Sequence, residues 1–146
     1  MEHKEFLIRA IRLAEDGIKN GGGPFGAVIV LNGEIISEAN NRVVISNNPT
    51  AHAEILAIQQ ASKVLGTHIL ADCTLYASCE PCPMCTGAIW WANIKRLVYG
   101  ISLKESSKLF GKEIDITSKY INKKGGNKIN IQEGILKKEI KTLYNI

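Results

Sequence analysis

Two short stretches hold residue types that can do chemistry together. One is TAHAEILAI, Thr50 to Ile58, where His52 and Glu54 stand two apart at the start of an apolar run. The other is CEPCPMC, Cys79 to Cys85, which carries three of the four cysteines. Burying a polar group without a partner costs on the order of 2–7 kcal/mol, and a charge more. A histidine and a glutamate beside a buried helix therefore either cap it near solvent or serve a site.

The spacing of Cys82 and Cys85, three apart, places both thiols on one face of a helix. Pro81 and Pro83 suit the first turn of that helix, where a missing N–H costs little. A helix N-terminus and a bound cation both favour the thiolate. A lone CxxC reads equally as a redox pair or as half of a structural zinc knuckle. The other half is missing, because the remaining histidines, His3 and His68, lack the spacing. His52 with Cys82 and Cys85 makes a Cys₂His set, which leaves a fourth zinc position for water. Zinc brings the pKa of such a water down towards ~7, and Glu54 stands where it can take the proton. Singly, His52 reads as a helix cap and Glu54 as a partner of the helix dipole; jointly, with the cysteine pair, they read as a site. One alternative stays open. Cys79-Glu80-Pro81-Cys82 is also a CxxC, and a fourth ligand from Cys79 would close the site. The zinc would then be structural, in a non-catalytic interaction module, and Glu54 would have no role. Cys73 reads as core and Glu80 as a cap or brace of the loop.

These residues need elements to position them. A first helix spans about His3 to Asn20, with Leu7, Ile11, Ala14 and Ile18 on one face. GGGPFG (Gly21 to Gly26) ends it, with Gly23 accepting the extended backbone that a proline demands of its predecessor. AVIVL and EIISEA flank Asn32-Gly33, a hairpin signal because a type I′ turn needs positive φ at both central positions. NNRVVISNNP reads as loop. AHAEILAIQQASKVLG is the second helix, CTLYAS a strand, PMCTGAIWWAN the third helix and KRLVYG a strand. Between Ile101 and Gly126 the pattern weakens, with room for a helix. KINIQ is a fifth strand and EGILKKEIKTLYN a last helix. The alternation implies an α/β sheet flanked by helices. Trp90 and Trp91 are adjacent on a helix and face different ways, so at least one serves the core or an interface.

Composition sets outer bounds. With 146 residues, 45% hydrophobic and 22% charged, the chain is read as one domain over residues 1–146. No apolar run approaches the ~20 residues of a membrane span, and the charged, amphipathic N-terminus is unlike a signal peptide. A cytoplasmic protein without a membrane partner is expected. Three cysteines within seven residues point there to metal or redox chemistry rather than a disulfide framework. The net charge is +4, and ten of the eighteen Lys and Arg residues follow Leu103. None of the ten is Arg and no aromatic stripe interleaves them, so they read as a solvated surface rather than a nucleic-acid grip.

At His52-Ala53-Glu54 and Pro81-Cys82-Pro83-Met84-Cys85 the chain resembles the cytidine deaminase-like superfamily, whose signature is H-x-E…P-C-x-x-C. GGGPFGAVIV, SNNPTAHAEILAI and TLYASCEPCPMCTGAIWWA are similar to the bacterial guanine deaminases within it, over residues 1 to about 100. The resemblance implies a three-layer α/β/α fold with a mixed five-stranded sheet. It implies one Zn²⁺ per chain on His52, Cys82 and Cys85, with Glu54 as proton shuttle. It implies that Asn41 hydrogen-bonds the base, that Phe25 lies near the pocket, and that the N–H of Ala53 faces the reacting amide edge. Trp91 would help enclose the base in a homodimer whose C-terminal segments are exchanged. An acidic residue after the fourth strand would contact substrate, and either Glu113 or Asp115 fits. The implied reaction is attack of zinc hydroxide on C2 of guanine, giving xanthine and ammonia. The ending INIQEGILKKEI is instead similar to tRNA adenosine deaminases, which act on a flipped adenosine; only that reading makes nucleic acid a partner. Pro24-Phe25-Gly26-Ala27 departs from their usual P-V-G-A, and the last helix lacks their arginine-rich extension. Cytosine or another small aminated heterocycle is a further candidate substrate.

Overall fold

Strands as apolar as GAVIVL, TLYASC and RLVYGI need cover on both faces. In the computed structural model, which describes residues 2–144, they have it. β1 (Gly26–Leu31) and β2 (Glu34–Asn40) form an antiparallel hairpin, and β1 also runs antiparallel to β3 (Thr74–Cys79). β3, β4 (Arg96–Ile101) and β5 (Asn130–Gln132) are parallel, giving the order β2-β1-β3-β4-β5. Asn32 and Gly33 sit at φ 51° and 79°, the left-handed pair that a tight hairpin turn requires.

Alternate residues of each strand serve opposite faces. Ala27, Ile29, Leu75, Ala77, Leu97 and Tyr99 pack with residues of α3 (Ala53–Leu65) and α4 (Pro83–Trp91). Val28, Val30, Tyr76 and Val98 pack with residues of α1 (Glu2–Lys19) and with Ile140 of α7 (Lys137–Leu143). This is the expected three-layer α/β/α arrangement with a mixed five-stranded sheet. Each fully buried Leu or Ile in these clusters contributes roughly 1.5–3 kcal/mol.

Four local differences have physical causes. Ile18 is 46% exposed rather than buried. The glycine loop approaches the last turn of α1 at Gly17, where a Cβ would lie 2.8 Å from the Gly23 carbonyl oxygen, and Ile18 beside it turns outward. The asparagine-rich segment read as loop holds a single helical turn, α2 (Val43–Ser46), because Asn41 Oδ1 accepts the Val43 N–H at 3.1 Å. Residues 101–126 form two helices, α5 (Leu103–Phe110) and α6 (Ser118–Lys124). Ser102 and Glu105 cap the first in a reciprocal box and Thr117 caps the second. The last helix starts at Lys137 instead of Glu133, since Gly134 and Leu136 take positive φ. Its expected end at Asn145 lies outside the described residues.

The topology decides where a site forms. The start of β1 and the ends of β2, β3 and β4 fall at one edge of the sheet, because β1 alone of these runs the other way. Phe25, Asn41, the Cys79–Cys82 loop and the start of α5 therefore meet there. Among the described residues, no helix is long and apolar enough to cross a membrane.

Candidate active site

His52 and Cys82 occupy the N-cap positions of α3 and α4, yet neither side chain caps its own helix. They turn to each other instead. His52 Nδ1 lies 3.6 Å from Cys82 Sγ and 3.5 Å from Cys85 Sγ, and the three donor atoms fall within 4.8 Å of one another. A tetrahedral zinc with Zn–S ≈ 2.3 Å and Zn–N ≈ 2.0–2.1 Å separates its sulphur and nitrogen ligands by about 3.6 Å. The donor set therefore fits zinc in chemistry and in spacing.

The three donor groups are coupled electrostatically. A hydrogen bond from the Cys85 thiol, with further help from His52, brings the Cys82 thiol down to about 4 despite its burial. Cys85 moves up in return, held as the proton donor of the pair. The hydrogen bond to Cys82 raises His52. Glu54, in the first turn of α3, is 7% exposed and stands outside the donor set. Burial, aided by the neighbouring Cys82 charge, pushes its carboxyl up to about 7. A carboxyl in that range gives and takes protons near neutral pH.

These groups face a cavity of about 210 Å³. It is lined by Phe25, Asn41, His52, Glu54 and Cys82, together with Phe110, Lys112 and Glu113 at and after the end of α5. Asn41 Oδ1 accepts the Val43 N–H, which orients the amide and leaves its Nδ2 donor to a ligand. Gly23 must be glycine for Asn41 to sit here: a Cβ would lie 2.9 Å from Asn41 Cγ. Glu113 is partly buried, accepts the Ser106 hydroxyl at 3.2 Å, and has its carboxyl raised by burial. Glu80 braces the wall. Its carboxylate accepts the backbone N–H of Leu103 at 3.0 Å and of Ser118 at 2.8 Å, joining the cysteine loop to the starts of α5 and α6.

The remaining candidates separate. Of the two acids, Glu113 lines the cavity, while Asp115 is exposed in a shallow groove with Lys104 and Lys108. Ala53 is buried at the first position of α3, where an N–H has no acceptor within its own helix. Trp91 is 75% exposed and does not line the cavity within this chain. Trp90 is the packed member of the pair, donating to the Gly125 carbonyl at 3.0 Å with Lys128 over its ring. Cys79 stays out of the donor cluster: burial pushes its thiol up to about 12, and its sulphur faces the Tyr144 hydroxyl at 3.8 Å. Among the described residues the closed four-ligand site does not form. Cys73 is buried core. Sequence reasoning missed Phe110 and Lys112. The one signal for them was the S-x-x-E box at Ser102–Glu105, which announces the helix that delivers them.

Residues 1–101 match the cytidine and deoxycytidylate deaminase zinc-binding region, and the chain belongs to that family. It is 60% identical over 100 residues to the guanine deaminase of Bacillus subtilis, covering 68% of this chain and 64% of that protein's length. It is 38% identical over 142 residues to a tRNA-specific adenosine deaminase of Buchnera aphidicola, covering 97% and 85%. The solved guanine deaminase from Nitrosomonas europaea superposes with a TM-score of 0.89 at 28% identity, covering 97% of this chain and 82% of that one.

Proposed function

We propose that the chain is a zinc-dependent hydrolytic deaminase of a free nucleobase, converting guanine to xanthine and ammonia. The observation that carries this reading is Glu54, a buried carboxyl raised to about 7 beside three zinc donors in a cavity of about 210 Å³. His52, Cys82 and Cys85 would hold the zinc, which would supply Lewis acidity and lower the pKa of a water towards ~7. Glu54 takes a proton from the attacking water and gives it to the ring nitrogen beside C2; it then carries the proton of the new C2 hydroxyl to the leaving amine, so that C2=O forms as the C–N bond breaks and ammonia departs. The Ala53 N–H and the Asn41 amide donate to the base. Glu113 accepts from its ring N–H groups, and Phe25 and Phe110 offer apolar walls to its planar ring. The likeness to two guanine deaminases supports the substrate.

A homodimer belongs to the same reading. Trp91, 75% exposed and away from this chain's cavity, is the large apolar side chain that a partner subunit would cover. β5 pairs with β4, and Ile140 of α7 packs on the sheet of the same chain.

One observation favours a second reading. The likeness to the tRNA-specific adenosine deaminase continues through the C-terminal third, beyond the stretch matched by the Bacillus subtilis guanine deaminase. The test is ammonia release by zinc-loaded protein from guanine, adenine, cytosine and an anticodon stem-loop, with Glu54→Gln as control. Release from guanine alone, lost in the variant, is expected. Release from the stem-loop alone, with salt-sensitive binding, would move the protein to RNA editing.

A further inference from the structure

We propose that Tyr144, at the end of α7, is a positioning residue that sets the substrate-facing aromatic wall. The inference rests on the base-deaminase reading for what the wall does; the contacts stand apart from it.

Three segments remote in sequence meet at this side chain. The Tyr144 hydroxyl donates to the Pro24 carbonyl, in the loop that delivers Phe25. Its ring stands edge-on to Phe110 at 4.7 Å, and Phe110 stands edge-on to Phe25 at 5.3 Å. Phe25 and Phe110 both line the cavity; Tyr144 does not. It therefore reaches a bound base only through them. Edge-to-face pairs of this kind are favourable beyond the burial they bring, and so choose among ring orientations.

Phe110 needs such a holder. It is the last residue of α5, 39% exposed, and is followed by Gly111 at φ 105°. α7 grips the same helix at its other end. Lys137 and Lys141 pair with Glu105 at 3.1 and 2.9 Å. Between the two grips Ile140 is fully buried, against Gly100, where a Cβ would overlap its Cδ1. α7 is thus fixed on the sheet before Tyr144 is placed. Burial raises the Tyr144 phenol well above its ordinary value, so its hydroxyl stays a donor throughout the working range.

The test compares wild type with Tyr144→Phe, which removes only the hydroxyl, and Tyr144→Leu, which removes the ring and keeps apolar bulk. All are full-length and zinc-loaded. Hydrogen–deuterium exchange is expected to speed severalfold at residues 21–26 and 108–113 in Tyr144→Leu, and less in Tyr144→Phe. Exchange in α3 and α4 stays at the wild-type rate. KM for guanine is expected to rise about tenfold in Tyr144→Leu with kcat within about twofold, because Glu54 and the zinc donors are untouched. Unchanged exchange at both segments in both variants would overturn the proposal. So would faster exchange spread evenly over the chain, or a fall in kcat with KM unchanged. If wild type does not turn over guanine, the base reading fails and the exchange pattern still decides the role of Tyr144.

Discussion

The zinc corner and the aromatic rim share one cavity but are built in opposite ways. The corner comes from two helix starts, with Cys82 and Cys85 three residues apart and His52 and Glu54 two apart. The cysteines share a face one helical turn apart, and His52 and Glu54 stand at the cap and in the first turn of α3. The rim joins Phe25, Phe110 and Tyr144, whose contacts bridge three segments and as many as 120 residues of chain. A corner built from local spacing depends on few residues, all of them demanding. A rim built from remote contacts depends on many, and each can be adjusted without loss of chemistry.

That difference sets the sizes of three expected effects. The largest is at the corner: Cys85→Ala should reduce bound zinc to under about a tenth of the wild-type content, measured by elemental analysis, since Cys₂His becomes a two-ligand site. Retained stoichiometric zinc would break the contrast. The next is at the joint between the regions. Glu80→Ala strands the buried N–H groups of Leu103 and Ser118, and an unsatisfied buried donor costs about 1–3 kcal/mol. A denaturant midpoint should show that loss, with zinc content unchanged. The smallest is at the far anchor of the rim. Burial alone would raise the Glu105 carboxyl, but hydrogen bonds from Lys141, Ser102 and Lys137 outweigh it and bring it down to about 2 from an ordinary 4.5. A depressed carboxyl adds stability that is complete above about pH 4.5 and is lost as pH falls towards about 2. The lysines are solvent-exposed, so the effect stays under about 1 kcal/mol. Glu105→Gln should flatten the acid limb of the stability curve by that amount and leave zinc binding alone.

The same contrast separates the parts of the molecule that are legible in the sequence from those that are not. The hairpin is legible because Asn32-Gly33 encodes a turn within two residues. The zinc donors and Glu54 are legible because their spacing is local. The alternating faces of β1, β3 and β4 are legible as apolar runs. α5 and α6 are hard to read, since they are short and defined by their caps at Ser102, Glu105 and Thr117 rather than by an apolar stripe. The choice between Glu113 and Asp115 depends on how the chain leaves Phe110, and no periodicity encodes that. Phe110, Lys112 and Tyr144 carry no signal of their own, because their surroundings come from segments far away in the chain.

The bond from Tyr144 to Pro24 joins residues 120 apart in the chain. Parts of a fold open locally at different cost, and helix ends open most easily. Fraying of the last turn of α7 would release Phe110 and the loop that carries Phe25 while the zinc donors, which sit at the starts of other helices, stay in place.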